Sequence, residues 1–184
     1  MKKLDNKIIH CIPFFIFFIV SVFSFSYFSD PRPTLIKKGC LITKNKYFKF
    51  LENNLDKTNK IYVFLPEACM SCEMGYIINQ LDSLQIKHNN IKCFVFLPSE
   101  YSENDIYNLN NNYNFKVTFR SIHKSLQEML DNNNRKAKYL FTDYYSFAVN
   151  NNGIITFSDY LRHPYIPLTD NFDKLIHFVS LNEE

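Results

Sequence analysis

Two cysteines separated by two residues, Cys69 and Cys72, are the strongest indication of chemistry in the sequence. They follow an apolar run that ends at Pro66 and precede a segment with helical periodicity, so we expect them at the N-terminus of a helix. Unpaired backbone N–H groups and the helix dipole stabilise an anion there, and thiols in such motifs have pKa values of about 3.5–7.5. We therefore predict that Cys69 attacks a disulfide as a thiolate and that Cys72, one helical turn further on, resolves the mixed disulfide.

Two other interpretations of this cysteine pair stay open. The two thiols form a structural disulfide, or they bind Cu(I) together with soft thioether ligands from Met70 and Met74, with His163 as the one convenient distant ligand. A zinc site with four cysteine ligands is excluded, because the sequence holds no second pair of cysteines at this spacing. Thiol–disulfide exchange is the preferred interpretation, and it requires neither a metal ion nor an organic cofactor.

The elements around the pair predict an α/β fold. Two continuous apolar runs, 61–65 and 91–97, each end at a proline and are typical of strands buried on both faces. The alternation of strands and helices requires right-handed crossovers and a mostly parallel centre. A hairpin around the Asn150–Gly153 loop adds antiparallel strands, so we expect a mixed sheet with helices on both faces. The remaining predicted segments are helices at 43–56, 70–85, 102–110 and 121–130, a strand at 115–119, hairpin strands at 145–149 and 154–157, and a final helix capped by Thr169.

The N-terminal region predicts a membrane segment and an exported domain. Residues 8–28 form a 21-residue stretch without Asp, Glu, Lys or Arg, and about 20 apolar residues span a bilayer as a helix. The lysines before this stretch place the N-terminus in the cytoplasm. We therefore expect a signal anchor or signal peptide at 1–29, a linker at 30–42 and a domain at 43–184 on the extracytoplasmic side of the cytoplasmic membrane, where disulfides form.

Composition limits the classes of function. The chain has 184 residues, of which 46% are hydrophobic and 17% aromatic, so it can form a core and is not globally disordered. It has 21 basic and 18 acidic residues. Without residues 1–29, which hold three lysines and one aspartate, 18 basic and 17 acidic residues remain. A domain so close to neutrality lacks the basic surface that nucleic-acid binding requires.

The segment 61–72 (IYVFLPEACMSC), the helix behind it and the hairpin SFAVNNNGIITF resemble the thioredoxin-like fold. The closest variety is the membrane-anchored, exported TlpA/ResA-like group of thiol–disulfide oxidoreductases, and the resemblance covers roughly residues 43–184. It implies that Cys69 is the exposed nucleophile and Cys72 the second motif cysteine. It also implies protein dithiol or disulfide substrates, a partner redox protein and no bound organic cofactor.

The sequence departs from this family at the expected substrate groove. Ala68 replaces the usual tryptophan before the first cysteine, and the family's cis-proline position falls on Tyr144. We expect a trans peptide there, because a non-proline cis bond costs about 3–4 kcal/mol. These differences leave open a redox-inactive thioredoxin-like binding module as an alternative function. The predicted groove residues are Glu67, Met70, Ser71, Asp143 and Tyr144.

Overall fold

The computed structural model describes part of the chain, and the described residues all belong to one compact unit, Pro33–Glu184. No helix within these residues is long and apolar enough to cross a membrane. The predicted membrane segment 8–28 lies outside them, as do Ser71, Cys72 and His163. The described residues are 35–45, 48, 51, 58–70, 73–122, 126, 128, 132, 139–162 and 168–180.

Five strands form one mixed sheet in the order β3-β2-β1-β4-β5. Strands β1, β2 and β3 are parallel, whereas β4 runs antiparallel to β1 and β5 antiparallel to β4. The arrangement confirms the predicted mixed α/β sheet with a parallel centre and an antiparallel hairpin. The strands are β1 (Asn59–Phe64), β2 (Ile91–Leu97), β3 (Thr118–Ser121), β4 (Tyr145–Val149) and β5 (Ile155–Tyr160).

Three α-helices have both of their ends within the described residues: α1 (Glu73–Lys87), α2 (Glu103–Asn112) and α3 (Leu168–Ser180). The predicted start of α2 is confirmed, because Ser102 and Asp105 form a capping box in which each side chain binds the other residue's backbone N–H. Thr169 is not the N-cap of α3 as predicted, since the helix begins at Leu168 and Thr169 lies inside it.

Several of the remaining predicted segments have other bounds in the structure. Strand β3 begins three residues later than the predicted 115–119, because pairing with β2 begins at Thr118, opposite Phe94. The predicted helix 43–56 begins as a short 3-10 helix, Ile42–Lys44, and most of its later residues lie outside the described ranges. Most of the predicted helix 121–130 also lies outside them, and Ser121 is the last residue of β3.

Each face of the sheet is covered by its own apolar cluster. Alternate residues of β1 point to opposite faces, so Ile61 and Val63 pack with α1 and α3, whereas Tyr62 and Phe64 enter an aromatic cluster on the other face. In that second cluster the ring of Phe48 lies 5.6 Å from the ring of Phe64. The two clusters hold the central strands, and therefore the loops at their ends, in fixed positions.

Residues 35–42 belong to the domain and not to the predicted linker. Leu35, Ile36 and Ile42 are buried in the aromatic cluster. The Gly39 N–H donates a hydrogen bond to the Ile155 carbonyl at 2.8 Å, so this segment is joined to the edge of the sheet. The linker prediction relied on the prolines and charged residues before residue 35, and these carry no information about the packing of the apolar residues that follow.

Candidate active site

The loop that carries Cys69 lies at the edge of the sheet where the parallel strands end. The Leu65 N–H donates to the Phe96 carbonyl at 2.9 Å, which extends the pairing of β1 with β2 up to Pro66. Because β4 is antiparallel to β1, its first residue lies at this same edge, where Val63 pairs with Ser146. The cysteine loop and the turn before β4 are therefore neighbours, although about 75 residues separate them in the sequence.

Cys69 occupies the position between β1 and α1 that the sequence predicts. Cys69 and Met70 are half-buried and pack against the core on the α1 and α3 face, while Glu67 is exposed. Helix α1 begins at Glu73, four residues after Cys69. Backbone N–H groups at the start of a helix favour a thiolate, and this is the environment that the sequence predicts for Cys69. The roles assigned to Cys69 and Cys72 stay predictions, since Cys72 is outside the described residues.

Gly75 is a structural position beside the cysteine loop that the sequence analysis missed. A Cβ atom at Gly75 would overlap the carbonyl oxygen of Met70 and would lie 2.6 Å from the Met70 carbonyl carbon. Real Cβ atoms do not approach backbone so closely, so only glycine allows the Met70 peptide to rest on α1. The signal available in the sequence was a glycine inside the predicted helix 70–85, where glycine costs about 1 kcal/mol relative to alanine.

Tyr144, at the expected cis-proline position, has an unusual backbone conformation. No peptide bond in the described part of the chain is cis, so the expected trans peptide at Tyr144 is confirmed. Its φ of 54° lies in the left-handed region, which a bulky residue rarely adopts. Two hydrogen bonds hold the turn: the Leu161 N–H donates to the Tyr144 carbonyl, and the Arg162 N–H donates to the Asp143 carbonyl, both at 3.0 Å.

The Tyr144 side chain joins this turn to the first turn of α1. Its hydroxyl lies 3.2 Å from a carboxylate oxygen of Glu73 and 3.2 Å from the sulfur of Met74, and the residue is only 4% exposed. The Arg162 guanidinium lies 5.8 Å from the Tyr144 ring centroid and 4.0 Å from the Glu73 carboxylate. These contacts fix the start of α1, directly after Cys72, against the turn at 143–144. We call these residues the tyrosine clamp: Glu73, Met74, Tyr144 and Arg162.

The other described cysteines lack the environment of Cys69. Burial raises the pKa of Cys93 to about 12, and the nearby Asp82 carboxylate adds to the shift. Cys93 therefore acts as a small apolar residue in β2. Cys40 is exposed and lies beside β5, where its carbonyl accepts a hydrogen bond from the Ile155 N–H. Within the described ranges, no three His, Cys, Asp or Glu side chains are grouped so that they could hold a metal ion.

No protein-family model matches the sequence, and no curated protein matches it. Solved structures do resemble it. A structure assigned to a thioredoxin from Neisseria meningitidis is 13% identical, with 72% of this chain and 81% of that chain covered and a TM-score of 0.46. One assigned to a thiol:disulfide interchange protein DsbE from Chlorobium tepidum is 12% identical, with 71% and 83% covered and a TM-score of 0.49. A secreted disulfide oxidoreductase from Mycobacterium tuberculosis is 11% identical, with 70% and 85% covered and a TM-score of 0.44.

By their names, these neighbours are a thioredoxin, a thiol:disulfide interchange protein and a disulfide oxidoreductase. Identities of 11–13% and TM-scores below 0.5 carry no argument about the activity of this chain. The fold assignment rests on the strand order and on the direction of each strand. The chemistry has to be argued from the residues at the sheet edge.

Proposed function

We propose that the protein is a thiol–disulfide oxidoreductase that acts on other proteins through Cys69 and Cys72. The observation that carries the proposal is the position of Cys69: half-buried, in the loop after β1 and four residues before α1. A thiol at such a helix start is acidic enough to be a nucleophile near neutral pH. The sequence spacing puts Cys72 one helical turn away, within reach of the Cys69 sulfur.

The exchange proceeds in two steps whose electrons balance. The Cys69 thiolate attacks one sulfur of a substrate disulfide, and the other substrate sulfur leaves as a thiolate. The Cys72 thiolate then attacks the Cys69 sulfur, which releases the second substrate thiolate and forms a Cys69–Cys72 disulfide. Two electrons pass to the substrate, and a dithiol of a partner redox protein restores the reduced pair. The reverse sequence oxidises a substrate dithiol by the same steps.

The location of the domain is part of this proposal. The apolar stretch 8–28 and the lysines before it favour a single N-terminal membrane pass, with the domain on the extracytoplasmic side of the cytoplasmic membrane. Substrate disulfides persist in that compartment. Protease protection of intact cells tests this orientation: the domain should be cleaved by added protease without cell lysis, and full protection would contradict it.

The activity is tested by trapping the mixed disulfide. The full chain with Cys72→Ser cannot resolve the intermediate, so it should form a covalent adduct with a disulfide protein such as insulin, and reducing agent should release it. All variants carry Cys40→Ser, because the exposed Cys40 thiol would form mixed disulfides of its own. The matched control is the same chain with Cys69→Ser, which should form no adduct. Equal trapping with and without Cys69 would reject the proposal.

Experiments on the same chain also distinguish two other functions. A binding module without redox activity would show no adduct and no reduction of insulin, although the chain would still be folded. A copper protein would take up Cu(I) stoichiometrically and lose this uptake on Cys69→Ala. Neither outcome agrees with disulfide exchange as the main activity.

A further inference from the structure

A groove of about 460 Å³ begins at Ala68, the residue before Cys69, and follows one face of α2. The helix contributes residues at the spacing i, i+3, i+4 and i+7, namely Asp105, Asn108, Leu109 and Asn112. On this face Leu109 is half-buried and packs against the core, whereas Asp105, Asn108 and Asn112 are exposed. The volume lies within the range of clefts that hold ligands, and the lining of the groove includes Ala68, the residue that precedes Cys69 in the sequence.

The charge of the groove is negative. Glu100 and Asp105 line it, and no basic residue is among the described side chains that do so. Hydrogen bonds from Ser102 hold the pKa of Asp105 below its usual range, so this carboxyl is ionised at neutral pH. Tyr101 and Tyr113 provide aromatic walls, and aromatic faces attract cations, as carboxylates do. A lysine or arginine side chain is therefore the complementary occupant.

The asparagines of the groove can form hydrogen bonds with the backbone of an extended polypeptide. Neighbouring Asn110 shows how α2 recognises such a chain: its amide donates to the Phe119 carbonyl at 3.0 Å and accepts from the Phe119 N–H at 2.8 Å. Asn108 and Asn112 lie on the groove face, are exposed and make no side-chain hydrogen bond within the described part of the chain. An incoming extended segment offers them the same pair of backbone groups.

We propose that this groove is a substrate subsite that selects an extended polypeptide segment carrying a lysine or arginine beside its disulfide. The inference rests on the proposed function, because it assumes that the disulfide is delivered to Cys69. The carboxylates attract the basic side chain, the asparagines bind the backbone, and the groove directs the neighbouring substrate sulfur to Cys69. An acidic substrate segment is repelled by the same two carboxylates.

The experiment compares two disulfide peptides that differ only beside the cystine, where one has lysine and the other glutamate. The full chain in detergent, with Cys40→Ser and Cys72→Ser, is mixed with each peptide, and the rate of adduct formation is measured. We expect the lysine peptide to react at least about fivefold faster at low salt, and we expect added salt to reduce the ratio because the charges are near the surface. Glu100→Gln should lower the ratio by about twofold to threefold. Glu103→Gln, on the same helix but outside the groove, should leave the ratio unchanged.

A neutral small disulfide, 2-hydroxyethyl disulfide, separates the two possible failures. If it forms no adduct with Cys69, the proposed function is wrong and the groove inference falls with it. If it reacts but the two peptides react at equal rates, the proposed function stands and the groove inference is overturned. A chain that dimerises, and whose dimer is weakened by Glu100→Gln, would show that a second copy occupies the groove, which also overturns the inference.

Discussion

Gly75→Ala tests whether the cysteine loop rests on α1 as the structure indicates. Two effects of opposite sign compete. Alanine in place of glycine within a helix contributes about 1 kcal/mol of stability. The new Cβ would overlap the Met70 carbonyl oxygen and lie 2.9 Å from the Met70 Cα, and overpacking of this kind costs about 1–3 kcal/mol. Because the opposing atoms are backbone and cannot rotate away, we expect the upper end of that range and a net destabilisation of about 1–2 kcal/mol.

The assay has two readouts, both on the full chain in detergent with Cys40→Ser and Cys72→Ser. Urea unfolding gives the free energy of unfolding, and mass spectrometry follows the rate at which iodoacetamide labels Cys69. Relief of the overlap requires the Met70 peptide to move, so the labelling rate should change by at least about threefold. Ser83→Ala, at an exposed position of α1, is the matched control: it should raise stability by a few tenths of a kcal/mol and leave labelling unchanged. If Gly75→Ala stabilises the protein by about 1 kcal/mol with unchanged labelling, the argument is refuted.

Three further predictions concern the clamp, the α2 cap and the buried thiol. Tyr144→Phe removes the hydroxyl between Glu73 and Met74, and urea unfolding should show a loss of about 1 kcal/mol; an unchanged value would mean that this contact does not stabilise the start of α1. Ser102→Ala removes the N-cap of α2 and should cost about 1 kcal/mol at pH 7. Hydrogen bonds from Ser102 lower the pKa of Asp105 from 3.8. The stability that the ionised Asp105 carboxylate adds to the cap is therefore present above pH 3.8 and is lost as pH falls through the lowered pKa. The difference in stability between wild type and Ser102→Ala should shrink in acid. For Cys93, whose pKa is raised from 9.0 to about 12, the unfolded chain loses its thiol proton first as pH rises. Stability should therefore fall by about 1.4 kcal/mol per pH unit above pH 9 relative to Cys93→Ala, and parallel pH profiles of the two proteins would contradict this.

The sequence by itself determined the elements and their order. Each apolar run ended by a proline became a strand, and the Ser102–Asp105 pair capped a helix, because burial patterns and caps depend on residues that are close together in the chain. The position of Cys69 between β1 and α1 follows from the same local signals. The mixed sheet then follows from the rules for strand connections, so the fold class and the candidate nucleophile needed no coordinates.

Only the tertiary structure decided which distant residues contact the start of α1. The Tyr144 hydroxyl contacts Glu73 across 71 residues of sequence, and this contact requires the register of β4 on β1 together with a left-handed turn that no sequence pattern signals. The sequence analysis missed the packing of the segment 35–42, because the hydrogen-bond partners of this segment lie on β5, more than 100 residues away. The groove beside Ala68 exists because α2 is placed next to the loop after β1. Periodicity records which side of an element is buried, but it does not record what packs against that side. The family resemblance placed Tyr144 near the cysteines, whereas its contacts with Glu73 and Met74 required the tertiary structure.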